Sequence, residues 1–149
     1  MKKKRPAPRR KRFRVIPHTS EVGLQAVGRS LPELFRNAAA GLFHLAGLAP
    51  GGRSRSQAKV RVRLEADDAG GLLVLWLNEL IFLVYTRRLL PKKFIFNVST
   101  ETTIVAEVAA APLGTRQAAA LREVKSATRH ALSVRSVRNG WEAEVLFDV

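Results

Sequence analysis

The stretch Arg138-Asn139-Gly140-Trp141-Glu142-Ala143-Glu144-Val145-Leu146-Phe147-Asp148-Val149 reads as a turn and the second arm of a β-hairpin. Asn139-Gly140 suits a two-residue turn whose central positions both take positive φ. Beyond it, Trp141, Ala143, Val145, Phe147 and Val149 fall on one face of an extended strand, and Glu142, Glu144, Leu146 and Asp148 on the other. The alternation predicts that Trp141, Val145 and Phe147 are buried and that Asn139-Gly140 forms an exposed tip. A strand entered through a hairpin has an antiparallel neighbour, so the sheet is expected to be mostly antiparallel.

Working back from this stretch, Val124 to His130 suits strand or helix by pattern, and the hairpin signal after it favours strand. The segment from Pro112 to Leu121 has no decisive pattern. Phe94 to Ser99 and Thr102 to Ala109 read as strands joined at Thr100-Glu101. Ala58, Val60, Val62 and Leu64 alternate with Lys59, Arg61, Arg63 and Glu65, the period of a half-buried strand. Phe13 to Ile16 and Val22 to Val27 are two further short strands around a polar connection.

Two helices stand among these strands. Ser30, three residues before Glu33 and followed by Pro32, marks a helix start. Leu31, Leu34, Phe35, Ala38, Leu42 and Leu45 then form one apolar stripe, and Gly47 supplies a stop. The second helix, about Leu72 to Arg87, is apolar nearly all round, as in a helix covered on several sides. Asp67-Asp68-Ala69-Gly70-Gly71 before it reads as a turn, and Asn78 and Glu79 within it must be paired or face outward. Two helices among about seven strands, without regular βαβ alternation, give an α+β single compact domain with a mixed, mostly antiparallel sheet.

The chain has 149 residues, 46% of them apolar, the size of one domain. It has no cysteine, which excludes disulfides and thiolate chemistry and suits a cytoplasmic protein. Nine Lys and Arg residues precede the first acid, leaving +5 of the net +14 for everything after Arg14. Residues 1–12, with Pro6 and Pro8, are expected to be a disordered basic tail. Such a tail could tether RNA phosphates or serve only as a solvated segment. The apolar run Leu72 to Tyr85 covers 14 residues, short of the ~20 needed to span a bilayer, so no membrane partner is expected.

No nucleophile elbow, Walker loop, dinucleotide fingerprint or zinc-spacing motif occurs, and Gly51-Gly52 and Gly70-Gly71 read as turns. Of the three histidines, His44 sits near a helix end and His130 within a strand candidate, while His18 adjoins Glu21 in the polar connection. Composition gives no reason to pair Glu21 with Asp148. A metal-dependent hydrolase built on His18, Glu21 and Asp148 has an open-site donor set but no separate general base.

Several separated segments, in order, resemble one family. Pro17-His18-Thr19-Ser20-Glu21-Val22-Gly23 resembles the opening motif of the archeases, and Glu33-Leu34-Phe35-Arg36-Asn37-Ala38-Ala39 their first-helix motif. Leu75-Trp76-Leu77-Asn78-Glu79-Leu80 is similar to the second-helix motif. Glu123-Val124-Lys125-Ser126-Ala127-Thr128, Gly140-Trp141 and Leu146-Phe147-Asp148-Val149 complete the set, over residues 13–149. The resemblance implies a non-enzymatic activator of the RtcB-type RNA ligase of tRNA splicing and RNA repair, promoting ligase guanylylation and multiple turnover. It also implies a divalent cation, often calcium, on the positions of Glu21, Asp148 and Val149, the last through a main-chain or terminal oxygen, with His18 and Lys125 as candidates for acting on the ligase. The sequence departs from the pattern at Pro17, where the family has an acid, at Glu21, one methylene longer than Asp, and at Arg129, where the family has Tyr. The competing reading is a basic RNA-binding module acting without a ligase, which lacks the aromatic pattern of recognised RNA modules.

Overall fold

The computed structural model describes residues 12–18, 20–49 and 58–149; most of the basic tail and the Gly/Ser/Arg linker lie outside them. In chain order the elements are β1 (Phe13–Pro17), β2 (Glu21–Gly28), α1 (Leu31–Leu45), β3 (Ala58–Glu65), α2 (Ala69–Tyr85), β4 (Leu89–Ser99), β5 (Thr103–Pro112), α3 (Thr115–Ala120), β6 (Ser126–Val137) and β7 (Gly140–Asp148). The α+β class holds, with the described strands divided between two sheets, β1-β2-β7-β6 and β3-β5-β4, in which every pairing is antiparallel.

α1 begins where the sequence places it. The Ser30 hydroxyl accepts from the Glu33 N–H at 3.3 Å, and Gly47, at φ +77°, ends the helix. Its apolar stripe is buried against β2, and Asn37, only 5% exposed, donates to the Val27 carbonyl at 2.7 Å. α2 starts earlier than expected. Asp68 is its N-cap, accepting from the Gly71 N–H at 2.7 Å, so Ala69-Gly70-Gly71 is the first helical turn rather than a loop. Those glycines leave room for β6: a Cβ on Gly70 would stand 3.1 Å from Leu132, and one on Gly71 3.2 Å from the Arg129 guanidinium.

Trp76 on α2 is fully buried between the two sheets' contributions to the core. Its ring lies 5.2 Å from Phe94 and 5.3 Å from Phe96 on β4, and stacks at 6.4 Å on Phe35 of α1. The indole N–H donates to the Phe35 carbonyl at 3.1 Å, so this large apolar group carries no unpaired polar atom.

Asn78, which the pattern left needing a partner, clamps β6. Its amide donates to the Ala127 carbonyl at 3.2 Å, and its oxygen accepts from the Ala127 N–H at 2.8 Å. The side chain completes both main-chain groups of Ala127 on the edge away from β7. Asn78→Ala strands the two groups and is expected to lower stability by about 1–3 kcal/mol. A urea midpoint unchanged from the parent protein would show that the clamp contributes nothing.

β7 is the second interior strand of its sheet, and this changes the burial read from alternation. Val145 and Phe147 are buried as expected, but Trp141 is half-buried and Val149 is 48% exposed, while Leu146 and Glu142 on the opposite face are buried. Leu146 reaches its cover through Gly23, whose missing Cβ would stand 3.3 Å from Leu146 and 3.2 Å from Ile16. The hairpin turn is also displaced by one residue. Arg138-Asn139 are its loop residues, neither has positive φ, and Gly140 is already in β7 at φ +143°. Gly140 is held there by close packing: a Cβ on it would stand 2.1 Å from the Gly28 carbonyl oxygen, and one on Gly28 2.3 Å from the Leu34 nitrogen at the start of α1.

The segment left open by the sequence contains α3, whose Gln117 side chain accepts from the Gly114 N–H at 2.8 Å. In β6, four residues, Arg129 to Leu132, stand between the partners of Leu146 and Glu144, a wide bulge that includes Ala131 at φ +52°.

Candidate functional site

The antiparallel register joins residues that are far apart in sequence. Glu21 of β2 is directly opposite Asp148 of β7, and Asp148 is directly opposite Ser126 of β6. Directly opposed residues share a face, so Glu21, Asp148 and Ser126 form one row across three strands. The Ser126 hydroxyl lies 3.4 Å from Asp148 Oδ2, a weak hydrogen bond. Lys125 adjoins the row, its N–H donating to the Asp148 carbonyl at 2.8 Å. His18 closes the other side, its N–H donating to the Glu21 carbonyl at 3.2 Å. Val149 follows Asp148 and is exposed. The fold thus gathers His18, Glu21, Lys125, Asp148 and Val149 at one end of the four-stranded sheet. His44 and His130 are elsewhere: His44 lies against Phe13 at 5.6 Å, and His130 is in the β6 bulge.

The row is part of a wider acidic face. Along β7 the same face carries Glu144 and Glu142, so four of the chain's 12 acids stand together on a protein of net charge +14. Glu142 is buried and held by Arg135 at 3.0 Å and by Gln25 at 3.4 Å. Glu21 and Asp148, by contrast, have no basic side-chain partner among the described residues.

Carboxylates suit a hard cation in kind, since calcium, magnesium and manganese prefer oxygen donors. They fall short in number. Among the described residues no three His, Cys, Asp or Glu side chains converge as a metal centre, and the Asp148 carbonyl is already engaged by Lys125. A cation on Glu21, Asp148 and a Val149 oxygen would therefore take most of its coordination from water or from a partner.

Sequence reading passed over three supporting groups. Ser126 orients Asp148, and Thr128, two residues on, has a buried hydroxyl without a partner among the described residues. Tyr85 at the end of α2 fixes the approach to Lys125: its hydroxyl donates to the Arg122 carbonyl and accepts from the Val124 N–H at 3.2 Å. The tertiary pairing, rather than residue type, reveals these roles. Burial raises the Tyr85 pKa above 10.0, the Val124 N–H partly opposes this, and the Glu123 charge adds to the rise. The neutral phenol therefore favours the fold below the unfolded value of 10.0, and that contribution is lost as pH rises through the higher folded value. Because Tyr85 is the chain's one tyrosine, phenolate absorbance reads it directly, and its midpoint is expected above 10.0 in the folded protein and near it in urea. Coincident midpoints would show that the hydroxyl is not held as described.

Residues 13–149 match the sequence profile of the Archease protein family (MTH1598/TM1083). The chain belongs to the archease family. It is 25% identical over 143 residues to the Protein archease of Methanosarcina barkeri, covering 93% of this chain and 97% of that one. It is 30% identical over 140 residues to the Protein archease of Archaeoglobus fulgidus, covering 93% and 99%. Its fold resembles the solution structure of Methanobacterium thermoautotrophicum protein 1598, with a TM-score of 0.70 and 24% identity over 94% of this chain and 100% of that one. As an archease, the chain shows why its motif residues occur together: the opening loop, the Lys125 segment and the last strand meet in one row. Among the described residues no helix is long and apolar enough to cross a membrane.

Proposed function

We propose that the chain is a non-enzymatic activator of an RtcB-type RNA ligase in tRNA splicing and RNA repair, promoting ligase guanylylation and multiple turnover. The observation that carries this reading is the accessible row Glu21–Asp148–Ser126, flanked by Lys125 and His18, in a member of the archease family. The row holds two carboxylates without a basic side-chain partner among the described residues, and the register of the three strands it crosses fixes its geometry. Asp148 and Glu21 present oxygens to a basic group of the ligase, with Ser126 restricting Asp148 and Lys125 offering a cation beside them. Glu21, Asp148 and the Val149 oxygen are also the donors for a divalent cation such as calcium, its remaining positions left to water or the ligase. Such an ion supplies charge bridging between the two proteins; the chain's own residues supply position.

The test is multiple-turnover ligation by the same organism's RtcB-type ligase with and without this protein. More turnovers per ligase molecule are expected in its presence than in its absence. Equal turnover in both reactions would reject the activator reading.

A further inference from the structure

At the end of β1 remote from Pro17 the surface opens into a cleft of about 330 Å³, lined by Phe13, Arg36, Ala40, Phe43, Lys92 and Phe94 among others. Phe13 and Pro17 are the two ends of β1, so at a strand's rise per residue the cleft lies roughly 13 Å from the carboxylate row. The two sites are separate.

The cleft combines flat apolar walls with a basic mouth. Phe13, Phe43 and Phe94 are each half-buried, leaving part of each ring on the cleft, and Arg12, Arg36 and Lys92 stand among them, with no Asp or Glu in the lining among the described residues. Arg36 is held in place: its guanidinium lies 4.9 Å over the Phe96 ring and donates to the Phe94 carbonyl at 3.4 Å. A guanidinium has five N–H donors, so most remain for a ligand.

The adjoining sequence argues about the occupant. Residues 1–11, which lead into Arg12, carry seven Lys and Arg, and residues 50–57, which follow Ala49 in the lining, carry Arg53 and Arg55. Like charge makes both segments poor occupants of a basic cleft. They strengthen its attraction for an anion instead. The ligand must therefore bring repeated negative charge together with a flat apolar group. A single-stranded polynucleotide does both in every residue, whereas a peptide carries its carboxylates and its rings on different residues. Aromatic faces with a basic groove are the common physical solution for binding single strands. The cleft is at the small end of ligand pockets, which begin at about 300 Å³, room for one base and its sugar.

We propose that this cleft seats one base of a single-stranded polynucleotide against Phe13, Phe43 and Phe94, with the flanking phosphates on Arg12 and Arg36. The seat does not depend on the ligase reading, because it engages nucleic acid directly.

Fluorescence anisotropy of the full-length chain tests it, using labelled oligouridine RNA, the matching DNA, duplex RNA and polyglutamate across a salt series. Ala40→Trp fills the cleft without changing charge, and Arg36→Gln removes one charge from an exposed side chain; thermal melts check the fold of both. Single strands are expected to bind tighter than duplex. Ala40→Trp should weaken single-strand binding about tenfold with the salt slope unchanged. Arg36→Gln should weaken it and lower the slope by about 0.7, the share of one phosphate contact on a single strand, and it carries the test alone if Ala40→Trp perturbs the melt. Equal affinity for RNA and DNA, or preference for RNA, each supports the seat. Full-strength binding by both folded variants would overturn it, leaving only diffuse attraction to the basic N-terminal tail. Duplex preferred over single strands, or polyglutamate displacing RNA at equal charge, would overturn it too.

Discussion

Asp148→Ala is expected to abolish stimulation of ligase turnover, returning multiple-turnover ligation to the level of the ligase alone, while melting like the unaltered protein. The side chain is exposed, and its one side-chain hydrogen bond among the described residues, to Ser126 at 3.4 Å, is long. A hydrogen bond to a charged group is worth about 1.5–3 kcal/mol at good geometry, and one this long and exposed falls below that range. The stronger contact at the position, Lys125 N–H to the Asp148 carbonyl, is main-chain and survives truncation. Function therefore falls much further than stability. In the same row, Glu21→Ala should lose divalent-cation binding, and Glu21→Asp should keep or improve it. Lys125→Ala should weaken activation with cation affinity unchanged. Calorimetric titration with calcium, manganese and magnesium reads the cation, and ligation reads the activation. Full stimulation by a folded Asp148→Ala protein would remove the site assignment and leave the activator reading standing.

Trp76→Ala is expected to cost about 3–5 kcal/mol, within the range for deleting a fully buried aromatic. Against a typical domain stability of about 5–15 kcal/mol this is a large fraction of the whole. The ring contacts both helices' share of the core and the inner face of β4, so its loss opens a cavity between α1, α2 and the three-stranded sheet. It also leaves the Phe35 carbonyl without the indole N–H. Trp76→Phe keeps part of the ring volume and should lose less. Denaturant unfolding of the two variants measures the difference. A loss under about 1 kcal/mol for Trp76→Ala would mean that the core relaxes around the site and is not organised by this residue.

Local pattern was most legible where one residue type determines one local geometry. Ser30 and Gly47 bracket α1 in the sequence and in the fold, and the alternation from Ala58 to Glu65 is β3. The same reasoning misplaced the start of α2, because Gly70 and Gly71 have turn propensity. Asp68 instead caps the helix ahead of them, and their small size is used against Leu132 and Arg129. It placed the hairpin turn one residue late, since Asn139-Gly140 suits positive φ at both positions but Gly140 is already packed on Gly28. Division into two sheets is not written in any one strand's period, because alternation gives a face and not a partner. The candidate site shows the same limit. Glu21, Lys125 and Asp148 were drawn from family resemblance, and only the register of β2, β7 and β6 explains their proximity. Ser126 and Tyr85 have ordinary surface identities and acquire their roles from what they touch.

The Asn78 clamp has a colloidal consequence. An unpaired strand edge is a template on which a second chain can add its own strand, the first step towards aggregation. β6 borders its sheet, yet at Ala127 the outward N–H and carbonyl are already taken by Asn78, and the bulge from Arg129 to Leu132 bends the rest out of line. The other borders are blunted by different means: β1 is short and ends at Pro17, β3 alternates in Lys and Arg, and β4 has irregular register near Lys92 and Asn97. One helical amide, together with the bulge, thus shields this sheet border, and the protein can keep its carboxylate row open to a partner without offering that border for self-assembly.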